Sequence, residues 1–112
     1  MDLELAPPGA DDPGGPTTVR VTGFVDLSTS SELVDAGLQL LWSDSCLALD
    51  LSDVTFMDAS GVAALSALGS AAQRLGMTFE ITAASFSVRR ILRILDLSDQ
   101  WSAPPPDRTR TG

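Results

Sequence analysis

Residues 47–65 read LALDLSDVTFMDASGVAAL, and the fold follows from how this stretch is divided. Preceded by Cys46, it begins as the nearly continuous apolar run Cys46-Leu47-Ala48-Leu49-Asp50-Leu51, which suits a short central strand covered on both faces. A polar break over residues 52–57 follows. From about Ser60 to Leu75, Val62, Leu65, Leu68, Ala72 and Leu75 recur at helical spacing, so the stretch runs from a buried strand into an amphipathic helix. Ser60 falls at the start of that helix, beside unpaired backbone N–H groups and the positive end of the dipole. Its hydroxyl is either an N-cap or a place where phosphate is tolerated.

Working outward, residues 18–25 (TVRVTGFV) set Val19 and Val21 against Arg20 and Thr22, the period of two that marks a strand with one buried face, with Gly23 as a local bend. Thr29 and Glu32 have capping-box spacing, and Leu33, Ala36, Leu40 and Leu41 place a first helix up to about Trp42. Gly76 stops the second helix. Residues 77–83 (MTFEITA) alternate again as a strand, and Ser85 or Ser87 caps a third helix in which Val88, Ile91, Leu92 and Leu95 share a face. At the N-terminus, residues 3–6 are a strand or merely a tail, and residues 7–16 (PPGADDPGGP) have the composition of a flexible turn. Three consecutive prolines and no apolar residue after them make residues 102–112 a disordered tail. The division expected is 1–17 for a short strand and flexible turn region, 18–101 for a folded domain and 102–112 for the tail. Strands alternating with helices predict an α/β fold, a mostly parallel sheet with helices packed on it.

Composition bounds the chemistry. A chain of 112 residues with 44% hydrophobic side chains suits one domain. Seven arginines, no lysine and fifteen carboxylates give a net charge of -8, which repels nucleic acid. With no histidine in the chain, Ser-His-Asp and Cys-His catalysis and imidazole metal sites fall away. The lone Cys46 reads as a reduced core thiol and excludes a disulfide framework. The acidic start Met1-Asp2-Leu3-Glu4 is unlike a signal peptide, and no apolar run approaches the ~20 residues of a membrane span. A cytoplasmic protein with no direct membrane insertion is expected. Gly14-Gly15 is not followed by Gly-Lys-Ser/Thr, so no nucleotide loop is present. No cofactor and no metal are called for.

Three segments carry a family resemblance: residues 19–33 (VRVTGFVDLSTSSEL), residues 49–65 (LDLSDVTFMDASGVAAL) and residues 85–97 (SFSVRRILRILDL). Together they resemble the STAS domain of bacterial anti-sigma factor antagonists. The middle segment is the specific one, since it sets Asp-x-Ser-Gly after an Asp-Leu-Ser strand end and Val-Thr-Phe-Met. The resemblance implies a STAS-like single domain without enzymatic activity of its own. In it, Ser60 is phosphorylated by an anti-sigma factor that is also a serine kinase. Unphosphorylated antagonist would bind that kinase and free a sigma factor, phosphorylation would release the antagonist, and a serine phosphatase would restore it. Partner contact is expected at Asp26, Ser28, Thr29, Asp58, Ala59, Ser60, Gly61 and Val62. One departure is Phe24, which stands where many relatives carry an acidic residue.

Each position also has an ordinary structural role: a helix cap for Ser60, an Asx turn for Asp58, capping for residues 28–31, sheet packing for the small-sided second helix, and a solvated face for Arg89, Arg90 and Arg93. On the family resemblance, an alternative is a STAS subunit of a transport or lipid-trafficking complex that acts by protein binding. An enzyme with Ser60 as nucleophile is opposed by the missing histidine and by the lack of a Gly-x-Ser-x-Gly elbow.

Overall fold

The computed structural model describes residues 1–6, 18–44 and 46–97. The expected turn region over 7–16 and the tail over 102–112 lie outside the described residues. Strand β1 (Asp2–Ala6) is followed by β2 (Thr18–Val25), helix α1 (Ser30–Asp44), β3 (Cys46–Met57), α2 (Ala59–Leu75), β4 (Thr78–Ala84) and α3 (Phe86–Ile94). The strands form one sheet in the order β1-β2-β3-β4. β1 pairs antiparallel with β2, while β2, β3 and β4 are mutually parallel. Each parallel pair is joined through a helix, as that pairing requires.

The alternation read from β2 sorts its residues by face: Val19, Val21 and Val25 are buried while Arg20 and Phe24 are exposed. Val19 pairs with Leu49, which pairs in turn with Ile81, so Val, Leu and Ile form an apolar row across three strands. Leu33 and Leu41 of α1, Leu65 and Leu68 of α2, and Val88 and Leu92 of α3 pack with this row into one core. A side chain of this size contributes about 1.5–3 kcal/mol when fully buried. On the polar face Arg20 lies 3.9–4.0 Å from Glu4, Asp50 and Asp53. Such half-exposed pairs contribute about 0–1 kcal/mol each, so the apolar face holds the sheet. α1 and α2 touch closely at Gly37, where a Cβ would lie 2.6 Å from Leu68 Cδ2.

Several element ends differ from the sequence reading. β3 continues past Leu51 to Met57. α1 extends two residues beyond Trp42. Cys46 is only partly buried rather than a core thiol, because it opens β3 at its end. Leu75 and Leu95 are exposed, since Leu75 is the last residue of α2 and Leu95 caps the C-terminal end of α3, where the core no longer reaches. Gly76 does stop α2, in the left-handed conformation at φ 69°. No described helix is long and apolar enough to cross a membrane.

Candidate functional site

β2 and β3 end level with each other: Phe24 pairs with Phe56 and Val25 with Met57. The chain therefore leaves the two strands side by side, through residues 26–29 into α1 and through Asp58 into α2. Both turns lie at the carboxyl ends of parallel strands, the edge where α/β sheets place their binding surfaces. The Asp58 N–H donates to the Val25 carbonyl over 3.3 Å and ties the turns together. Gly61 lets α2 sit down on them, since a Cβ there would lie 2.5 Å from Met57 Cγ and 3.0 Å from the Val25 carbonyl oxygen.

Asp26 organises the first turn. Its Oδ1 accepts from the Ser28 hydroxyl at 2.8 Å and the Ser28 N–H at 3.1 Å, with the Thr29 hydroxyl at 3.2 Å. The Ser28 hydroxyl bond is the main cause that holds the Asp26 carboxyl below its ordinary pKa; loss of water around it works in the opposite direction, and the other bonds add to the lowering. Thr29 does not close a capping box. Its Oγ1 accepts from the Asp26 N–H at 2.9 Å instead, facing back into the turn.

In the second turn the N-cap is Asp58 and not Ser60. Asp58 has extended backbone angles, and its Oδ1 accepts from the N–H of Ser60 at 2.9 Å and of Gly61 at 3.3 Å. Ser60 already lies within the first helical turn, partly exposed. Among the described residues nothing hydrogen-bonds its hydroxyl. The amides expected to help hold a phosphate are thus already bound by a carboxylate.

A family model described as "Mlab, STAS domain" matches residues 9–101. The chain belongs to the STAS domain family. Among solved structures, an anti-sigma factor antagonist from Mycobacterium paratuberculosis is 25% identical over 93% of this STAS domain chain and 86% of that chain, with a TM-score of 0.71. The anti-sigma factor antagonist SpoIIAA in its unphosphorylated form is 15% identical over 89% of this chain and 84% of its own, at a TM-score of 0.70. The Bacillus cell fate determinant SpoIIAA in the phosphorylated form is 14% identical over 89% and 87%, at a TM-score of 0.65. The likeness to the SpoIIAA structures is one of fold. No curated protein sequence is a significant match.

The STAS fold gathers all eight expected contact residues at one end of the sheet, in two roles. Asp26, Ser28, Thr29, Asp58, Ala59 and Ser60 are exposed or partly exposed, whereas Gly61 and Val62 are buried and support the turn from below. Phe24, where the family resemblance leads one to expect an acidic residue, is exposed and rests against Phe56 with ring centroids 5.7 Å apart. Sequence reasoning missed what lies beside this STAS surface. Phe56, Phe86, Arg90 and Ile94 line a groove between β3 and α3. The signal was present in the spacing Phe86-x-x-x-Arg90-x-x-x-Ile94, one helical row set apart from the buried Val88 and Leu92.

Proposed function

We propose that this STAS domain is an anti-sigma factor antagonist, switched by phosphorylation of Ser60. Unphosphorylated, it binds an anti-sigma factor serine kinase in the cytoplasm through residues 26–29 and 58–60 and releases a sigma factor. The observation that carries the reading is the Ser60 hydroxyl: partly exposed, without a hydrogen-bond partner among the described residues, and in the first turn of α2 at the carboxyl end of the parallel strands. The kinase would transfer the γ-phosphoryl group of ATP to Ser60 Oγ. A P–O bond forms there, the bond to ADP breaks, and the hydroxyl proton passes to a base of the kinase. A serine phosphatase would hydrolyse the product. The named function of the 25% identical mycobacterial relative and the two named forms of SpoIIAA support this reading.

The switch follows from charge. Phosphate adds nearly two negative charges two residues from Asp58, whose carboxylate already occupies the Ser60 and Gly61 amides. The new charge is left for solvent to stabilise, so a partner seated over it must strip that water away. Among the described residues the fold loses no hydrogen bond. Intact-protein mass spectrometry after incubation with candidate anti-sigma kinases and ATP should show one phosphate on the wild type and none on Ser60→Ala, which keeps its kinase binding. Equal phosphate on both proteins would sink the assignment. The second reading, a STAS subunit of a transport or lipid-trafficking complex, uses the same surface without phosphate; copurification with a transport ATPase and an unmodified Ser60 would favour it.

A further inference from the structure

Beyond Ser60, the wall formed by α3 is unusual for an acidic protein. Phe86 is 72% exposed and Ile94 64% exposed, four residues to either side of Arg90, and Phe56 at 44% faces them from β3. Together with Ile91 they line a groove of about 240 Å³. Both walls are fixed. Val88 and Leu92 anchor α3 in the core, and the Ser87 hydroxyl donates to the Thr55 carbonyl over 3.1 Å. Arg89 and Arg93 run along the outer side of the same helix, and among the described residues neither they nor Arg90 meets a carboxylate.

We propose that this groove docks an amphipathic helix of a protein partner, with apolar residues on one stripe and carboxylates along its flank. The row from Phe86 to Ile94 spans two helical turns, about 12 Å, enough for an apolar stripe at i, i+4 and i+7 to lie along it. The occupant's charge follows from the arginines. Three arginines that meet no carboxylate among the described residues, set beside an apolar groove, favour an acidic flank and disfavour a basic one. The same arginines also suit an anionic lipid surface, and here range decides. At physiological salt a charge is felt over about 8 Å, so a docked helix meets mainly the α3 arginines. An extended anionic surface meets a chain of net charge -8, which repels it as it repels nucleic acid. Preformed walls also spare the partner the cost of ordering the groove.

The test uses the full chain, labelled with nitrogen-15 for amide shift mapping, and two synthetic helical peptides. Both carry the same leucine stripe, flanked by glutamates in one and by lysines in the other. The glutamate peptide should move the resonances of Phe56 and of Phe86–Ile94, with an affinity that falls as salt rises. Arg90→Glu should weaken it about tenfold and improve binding of the lysine peptide, and Ile94→Ser should weaken both. Both positions are exposed, so unchanged thermal melts would show that the fold survives. Ser60→Ala should bind the glutamate peptide as the wild type does, which separates this result from the phosphorylation assignment. Equal binding of the two peptides, or no shift in these resonances at millimolar peptide, overturns the proposal. So does sedimentation of a wild-type dimer that Ile94→Ser dissociates, or co-sedimentation with phosphatidylcholine–phosphatidylglycerol vesicles that Arg90→Glu abolishes.

Discussion

With one carboxylate oxygen Asp58 holds two amides of α2, and this leaves the Ser60 hydroxyl outside the bonding of the described fold. Stability should therefore separate two residues that stand side by side in the sequence. Asp58→Ala loses an N-cap and should cost about 1 kcal/mol, whereas Ser60→Ala should stay within about 0.5 kcal/mol; urea titrations of both variants measure the difference. The opposite order would return the cap to Ser60. The sequence reading gives the cap to Ser60 and an Asx turn to Asp58, because both types cap helices and only the backbone angles show where the first turn begins. Asp26 makes a second prediction. Its carboxyl is held below the ordinary pKa in the fold, so its contribution is fully present above the unfolded value of about 3.9 and fades as pH drops through the lower folded value. The stability gap between wild type and Asp26→Asn should stay level near neutrality and close below about pH 4. A gap that widens on acidification would mean that the Ser28 and Thr29 bonds do not favour the charged form.

At the scale of elements, β3 explains both what was legible and what was not. Its apolar run ends at Leu51, where pairing with β4 also ends, the last pair being Leu51 with Ala84. Beyond it β3 keeps only β2 as a paired strand, through Asp53, Val54, Phe56 and Met57. Burial then falls to every third residue, Val54 and Met57, around the register shift between Gly23 and Phe24. Neither the continuous apolar pattern nor a strict period of two survives there, and the segment reads as a polar break. The order of strands and helices was legible because β2, α2 and α3 each show one clean period with a buried face. The groove was only half legible: the row Phe86, Arg90, Ile94 shows in the spacing, but spacing alone does not tell a row turned outward from one turned inward. Gly61 links these elements and is testable. Alanine there improves helix propensity by up to about 1 kcal/mol, yet its Cβ would meet the Val25 carbonyl at 3.0 Å and Met57 Cγ at 2.5 Å. Overpacking of this kind costs about 1–3 kcal/mol, and the backbone oxygen cannot rotate away as a side chain would. Gly61→Ala should thus melt lower than wild type and disturb the amide resonances of residues 25–29. A higher melting temperature would show that α2 does not rest on the strand ends.

For the whole molecule the governing quantity is its charge, -8 over 112 residues with no lysine. Two like charges about 10 Å apart in water cost about 0.4 kcal/mol, so the surplus of carboxylates opposes compaction by more than a single pair suggests. Favourable surface electrostatics is sparse by comparison: among the described residues the ion pairs all involve Arg20, and its three carboxylate partners lie at 3.9–4.0 Å. Salt weakens both terms, because the Debye length shrinks from about 10 Å at 0.1 M to about 3 Å at 1 M. Repulsion is the larger, so added sodium chloride should raise the unfolding free energy, by up to about 0.4 kcal/mol for each such pair it screens. Arg20→Gln sharpens the test. Without the guanidinium, Glu4, Asp50 and Asp53 lose the cation nearest them, and the gain on adding salt should exceed that of the wild type in parallel urea titrations. If salt instead destabilises the wild type and leaves Arg20→Gln unaffected, the Arg20 cluster and not the net charge dominates the electrostatics of folding.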